Sequence, residues 1–249
     1  MIALSTPELV VACLAVTLGY GVFGLIGFGA NIVALPVLAH VMSLRLAVPT
    51  LLVLDLISAS LLSVRHRASV DTAEIRRLAP PLLLGMALGL PVLQHAAERW
   101  LLLLLGAFVG LYAGWSLLTA PRTRVAAPGW AWPAGMVGGI FTTVFGTGGP
   151  LYTLFLASRI LDTARLRATL GTVILGAALM RLVLFGTSGF LTQPGVAALA
   201  AVLVPCALAG YALGSRWHTR VPQARLRRGI WVLLLLTAAS LMLRAAWGV

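Results

Sequence analysis

The sequence has no lysine, and only six of its 249 residues are acidic. Charged residues make up 10% of the chain, whereas a soluble globular domain has about 25%. Hydrophobic residues make up 60%, and the mean hydropathy is +1.02. Long uncharged runs recur from one end of the chain to the other. This composition excludes a soluble protein and predicts a single integral membrane domain over residues 1–249, surrounded by the lipid bilayer.

Cysteine is scarce as well, since Cys13 and Cys206 are the two in the chain. Both lie in apolar segments without a second ligand nearby, so we interpret them as small buried hydrophobic residues rather than as a disulfide or a metal site. The chain has no G-x-S-x-G or H-E-x-x-H motif, and six acidic residues leave little for metal chemistry. We therefore predict that the protein is not an enzyme and has no cofactor.

Positive charge is present, but all 18 basic residues are arginine, and the formal net charge is +12. A nucleic-acid-binding protein would place its basic residues on one solvated face, with little sequence of membrane length. Here nearly all arginines lie in short connectors between apolar segments, so we expect no nucleic-acid partner. Such a distribution is typical of the cytoplasmic loops of membrane proteins.

Arginine, proline and glycine divide the chain into ten apolar segments, five in each half. Most are long enough to cross a hydrocarbon core of roughly 30 Å as a helix, but two are short. The sequence predicts an all-α integral membrane protein with about ten membrane segments, eight full spans or more, in two repeats at about 7–118 and 130–246. The segments lie near 7–26, 31–43, 46–64, 78–94, 100–118, 130–145, 150–158, 167–186, 194–214 and 229–246.

The arginines also predict the orientation in the membrane. With the N-terminus outside, and with both arms of each short hairpin returning to one side, only Arg45, Arg99 and Arg244 fall outside. Because each half has an odd number of segments, the second repeat is inverted relative to the first, and both termini lie outside. The arginines predicted inside are Arg65, Arg67, Arg76, Arg77, Arg122, Arg124, Arg159, Arg165, Arg167, Arg216, Arg220, Arg225, Arg227 and Arg228.

Internal similarity supports the two repeats. The motif P-x4-G-x-A-L-G occurs at Pro80–Gly89 and again at Pro205–Gly214, on the fourth segment of each half. Each half also has a glycine-rich break at its first hairpin, Gly27-Phe28-Gly29-Ala30-Asn31 and Gly146-Thr147-Gly148-Gly149-Pro150. Paired interrupted segments at matching places in two halves indicate the binding site of a secondary transporter.

These motifs, together with Thr169-Leu170-Gly171-Thr172, resemble the TauE/SafE family of sulfite exporters and anion permeases over essentially the whole chain. The first-half motif has Ala30-Asn31 where the family usually has further glycines. The resemblance implies transport of a small sulfur-containing or carboxylate anion across the bacterial cytoplasmic membrane, driven by the proton gradient.

The two breaks predict where the anion binds. Each break is followed by a short helix, and helix N-termini offer unpaired N–H groups and a partial positive charge. We expect the anion to lie between them, although the glycines could instead serve only close helix packing. The predicted substrate-binding residues are Gly27, Gly29, Asn31, Thr143, Gly146, Thr147, Gly148, Gly149 and Pro150.

Two ionisable residues lie within predicted spans, Asp55 and Arg181. A charge at the bilayer centre costs roughly 2.5–3.5 kcal/mol, so such residues face the bundle interior and have a partner. Two interpretations stay open: a structural ion pair, or an arginine that attracts the anion beside a carboxylate that takes up a proton. Also left open are an anion channel, an intramembrane enzyme as the weaker alternative, the identity of the anion, the direction of transport, the coupling ion, and the oligomeric state, a homodimer included.

Overall fold

The computed structural model describes residues 4–64, 70–118, 126–217 and 223–247, and these residues form helices and connecting turns without a strand. The helices are α1 (Thr6–Ile26), α2 (Ala30–Leu38), α3 (Leu44–Val64), α4 (Thr72–His95), α5 (Glu98–Leu118), α6 (Ala131–Phe145), α7 (Gly149–Arg159), α8 (Thr163–Thr187), α9 (Val196–Trp217) and α10 (Gln223–Trp247), with a 3-10 turn at Pro128–Trp130. The all-α prediction is therefore confirmed.

Five helices are long and apolar enough to cross a membrane, judged by length and composition over the described residues: α1, α3, α4, α8 and α9. The short segments of the sequence correspond to α2 and α7. Several arginines of the predicted cytoplasmic loops lie outside the described residues, namely Arg65, Arg67, Arg122, Arg124 and Arg220.

Both short helices are the return arms of hairpins. α1 ends at Gly27 and α6 ends at Gly146, with φ of +86° and +67°, a left-handed conformation that glycine adopts without steric cost. After the turn, α2 runs back along α1, where Gly19 lies against Ala30 and Ala34. α7 likewise runs back along α6, where Gly138 lies against Tyr152.

Three helix pairs hold the halves together, α4 on α6, α9 on α1 and α10 on α5, and the first two resemble each other. At both, glycines let the backbones touch. A Cβ added at Gly85 would collide with the Met136 carbonyl oxygen, and one at Gly89 would lie 2.9 Å from that of Ile140. We call each of these close contacts between two helices a seam. The α9–α1 seam repeats the arrangement, because Gly210 lies against the Thr17 carbonyl and Gly214 against the Gly21 carbonyl. In each of these two seams, a step of four residues along one helix moves the contact four residues in the same direction along the other. The two helices of each seam therefore run parallel.

At one end of the molecule, the helix ends are joined mainly by arginine. The Arg45 guanidinium donates to the carbonyls of Leu93, Gln94 and Ala96, at the C-terminus of α4. Arg244, near the end of α10, donates to the carbonyl of Ala39. The end of α2, the start of α3 and the ends of α4 and α10 therefore lie close together at this end of the molecule.

A second set of ion pairs joins other helix ends. Arg159, at the end of α7, lies 2.8 Å from Glu74 on α4, and Arg165 on α8 lies 3.0 Å from Asp71, the N-cap of α4. Thr169 Oγ1 accepts a hydrogen bond from the Asp71 backbone N–H. The starts of α4 and α8 and the end of α7 thus lie together, apart from the set around Arg45.

Candidate functional site: a cavity between two hairpin tips

A small cavity lies where the tips of both hairpins meet α3 and α8. About 40 Å³ of it is open to the centre of a water molecule, and one water needs about 10–15 Å³ of such space. The cavity therefore has room for about three waters or one small oxyanion.

Most of the residues predicted from the two breaks line this cavity. The first break contributes Gly29 and Asn31, and the second contributes Gly146, Thr147, Gly149 and Pro150. Segments more than a hundred residues apart in the chain are thereby brought to one site.

Three of the predicted residues are not among those that line the cavity. Gly27 caps α1, and its N–H donates to the Phe23 carbonyl. Gly148 lies against α6, where an added Cβ would collide with the Gly138 carbonyl and the Thr142 hydroxyl. Thr143 faces α4 and donates to the Met86 carbonyl at 2.9 Å. In this structure these residues shape the hairpins and the α4–α6 seam.

Asp55 and Arg181 form an ion pair at the cavity, as one interpretation of the sequence required. Arg181 Nη1 lies 3.0 Å from Asp55 Oδ2, and the arginine side chain is only 2% exposed. Its Nη2 donates to the Val48 carbonyl at 3.3 Å, and its guanidinium carbon lies 5.5 Å from the centre of the Phe185 ring. The pair joins α3 to α8 at the middle of the bundle.

The Asp55 carboxylate has two further donors, and both come from the first hairpin. Asn31 Nδ2 donates to Oδ2 at 2.7 Å, and the Tyr20 hydroxyl donates to Oδ1 at 2.7 Å. Three donors around one largely buried carboxylate pair with its oxygens and hold its orientation. The network therefore ties the tip of the first hairpin to the ion pair between α3 and α8.

Tyr20, which is fully buried in α1, was not among the residues predicted from the sequence. The available signal was its place in the middle of an apolar segment, far from either predicted interface. A buried tyrosine hydroxyl needs a hydrogen-bond partner, so a tyrosine at that depth indicates a polar group nearby. The residues predicted from the sequence also omitted the apolar wall of the cavity, which includes Phe23, Phe28 and Ile174.

The cavity lies at the N-termini of two helices, one from each half. Asp55 and Arg181 nearly cancel as a pair, whereas the first turns of α2 and α7 both reach the cavity through Ala30 and Gly149. Each helix N-terminus carries about half a positive charge and N–H groups without intrahelical partners. This arrangement suits a small anion of low charge.

The chain is also similar to known membrane transport proteins. The family model "Sulfite exporter TauE/SafE" matches residues 11–241. The chain is 32% identical over 170 residues to the "Probable inner membrane transporter protein TsaS" of Comamonas testosteroni, which covers 67% of this chain and 70% of the relative. It is 29% identical over 185 residues to the "Probable sulfite/organosulfonate exporter TauE" of Cupriavidus necator, with 72% of each covered.

No solved structure matches the chain significantly. The family match spans nearly all of the ten helices, including both hairpins and both residues of the ion pair. The chain therefore belongs to the TauE/SafE family of sulfite exporters, and it is a membrane transporter, not an enzyme.

Proposed function

We propose that the protein is a secondary transporter that moves sulfite, a sulfonate or a related sulfur-containing or carboxylate anion across the bacterial inner membrane. The observation that carries this proposal is the cavity between the hairpin tips. It places two helix N-termini, one from each half, beside a single buried ion pair. Each relative's name refers to transport or export, and the anions named for one of them fit a site of this size and charge.

The transport cycle we propose uses the two halves as inverted repeats of five membrane segments each. The matched α4–α6 and α9–α1 seams support this, because equivalent glycines contact equivalent positions in both. Rocking of the α4–α6 pair against the α9–α1 pair, with both seams intact, then exposes the cavity alternately to the two sides. The α3–α8 crossing, with the ion pair in it, lies at the centre of that movement.

Asp55 is the residue we propose for coupling to the proton gradient. It is the carboxylate that lines the cavity. The other five acidic residues, Glu8, Asp71, Glu74, Glu98 and Asp162, lie in the first turn of a helix or at its N-cap. A proton taken up at Asp55 would release Arg181 from its partner, which changes the charge that the anion meets.

The membrane orientation we propose places both termini outside. It is supported by the two sets of helix ends, because Arg45 and Arg244 fall in one set and Arg159 and Arg165 in the other. In a chain without Cys13 and Cys206, Ala97→Cys and Thr192→Cys should react with a membrane-impermeant maleimide in intact cells. Ala164→Cys should react only after permeabilisation. Labelling of Ala164→Cys in intact cells would reverse the orientation.

Uptake into proteoliposomes tests the function directly. The substrates are sulfite, a series of sulfonates and small carboxylates, each measured with and without a pH gradient across the vesicle membrane. We expect saturable uptake that the gradient accelerates. A flux that does not saturate and follows only the membrane potential would identify a channel, and no flux of any anion would reject the proposal.

Gly149→Val tests the position of the anion. A Cβ at Gly149 would lie 3.7 Å from both Phe28 and the Tyr152 hydroxyl, so the side chain fits but fills part of the cavity. We expect uptake to fall by about tenfold or more, since an anion displaced from one helix terminus loses about 1–2 kcal/mol. The matched control is Gly176→Val on α8, where an added Cβ meets no atom within 4 Å. Equal uptake by the two variants would place the anion elsewhere.

A further inference from the structure

The orientation of the Asn31 side chain is determined by its partners. Asn31 is 3% exposed, and its Nδ2 lies 2.7 Å from Asp55 Oδ2 and 3.2 Å from the Gly146 carbonyl oxygen. Both partners are acceptors, so the amide NH₂ group must face them. The other end of the amide, Oδ1, is an acceptor that remains buried without a hydrogen-bond partner among the described residues.

Two other buried polar atoms also have no partner in the described part of the chain. They are Arg181 Nε and Thr147 Oγ1, and both residues line the cavity together with Asn31. The arginine N–H can only donate, and the threonine hydroxyl can donate or accept. Buried polar atoms without partners are rare in folded proteins and cost free energy unless something pairs with them. A ligand that pairs with all three atoms must therefore offer at least one hydrogen-bond donor and one acceptor.

An anion that is only an acceptor satisfies the arginine and the threonine but not the asparagine. When such an anion displaces water, Asn31 Oδ1 loses the hydrogen bond that water can donate. An anion with its own O–H group replaces that bond. We infer that this site selects anions that carry a hydroxyl group beside their charged oxygens, the hydroxyl donating to Asn31 Oδ1 and the charged oxygens accepting from Arg181 Nε and Thr147 Oγ1. The inference rests on the proposed function and adds a selection rule to it.

Isosteric anion pairs test the rule on the purified full-length protein. In 2-hydroxyethanesulfonate and propane-1-sulfonate a hydroxyl replaces a methyl group, as in glycolate and propionate. We expect the hydroxyl member of each pair to bind about tenfold more tightly by titration calorimetry, the effect of one unmade hydrogen bond to a buried acceptor. In Asn31→Leu the preference should disappear.

Thr147→Val is the matched control. It removes a partner of the charged oxygens, so it should weaken both members of a pair equally and leave their ratio unchanged. Equal affinities within the pairs in the wild-type protein would overturn the selection rule while the transport proposal stands. The same ratio in Asn31→Leu would overturn the assignment to Asn31. If no anion of either pair binds and none is transported, the proposed function fails together with the rule.

Discussion

The two halves of the molecule match along their helix seams and differ at their hairpin tips. Gly85 and Gly89 on α4 have counterparts in Gly210 and Gly214 on α9, and each pair lies on the backbone of the helix that begins the other half. At the tips, counted from the capping glycines Gly27 and Gly146, Phe28 corresponds to Thr147 and Asn31 to Pro150. The close helix packing at the seams therefore occurs in both halves, whereas the polar residues at the hairpin tips differ between them.

The same contrast holds in the helices that cross at the centre. Counted from the first residues of α3 and α8, Asp55 corresponds to Ile174, and both line the cavity. A second buried carboxylate would need a second arginine, because an unpaired charge in the bundle costs several kcal/mol. One cavity shared by two halves needs only one ion pair. Close helix contact, by comparison, has to be made separately at each seam.

Among the variants that distinguish the site from the seams, we expect the largest loss of stability from those that change the ion pair. Asp55→Asn leaves Arg181 as a buried cation, and Arg181→Gln leaves the carboxylate with Tyr20 and Asn31 only. Each single change should lower the stability by about 3–5 kcal/mol, and the double change should cost less than the sum. The measurement is thermal unfolding and folded yield in detergent. Strictly additive losses would mean that the two side chains do not depend on each other.

The seams should respond alike in the two halves. Gly85→Ala and Gly210→Ala both place a Cβ against a carbonyl oxygen of the facing helix. Overpacking of this kind costs about 3 kcal/mol, and we expect similar losses from both variants in the same unfolding assay. Gly114→Ala on α5 is the control, since nothing lies within 4 Å of its added Cβ. A loss at one seam only would break the correspondence between the halves.

The smallest effects should distinguish two threonines of the second half. Thr143 donates to Met86 in the α4–α6 seam, so Thr143→Val should lower the stability by about 1 kcal/mol with little change in uptake. Thr147 lines the cavity, and its hydroxyl has no hydrogen-bond partner among the described residues, so Thr147→Val should reduce uptake with little change in stability. Unfolding and proteoliposome uptake are measured on both variants. If Thr143→Val reduces uptake at wild-type stability, Thr143 binds the anion as the sequence predicts.

The sequence alone was sufficient for the membrane class, the order of the helices and the family, whereas some helix bounds were wrong: α2 ends at Leu38 and not near 43, and α4 begins at Thr72 and not near 78. Apolar runs of membrane length and the break glycines are local properties of the chain, and hydrocarbon leaves the backbone few alternatives to a helix. The same local signals placed the two breaks and identified Asp55 and Arg181 as unusual residues within spans. Six of the nine residues predicted to bind the anion line one cavity in the structure.

Only the tertiary structure decided which side of each break faces the cavity. Gly148 and Gly149 are neighbours in the chain, yet one packs on α6 and the other lines the cavity, because a helix turns each successive residue by about 100°. The network of Tyr20, Asn31, Asp55 and Arg181 also depends on contacts between α1, α2, α3 and α8. Local patterns do not encode those distances, since helix packing places Asp55 beside Arg181, which is 126 positions further along the chain.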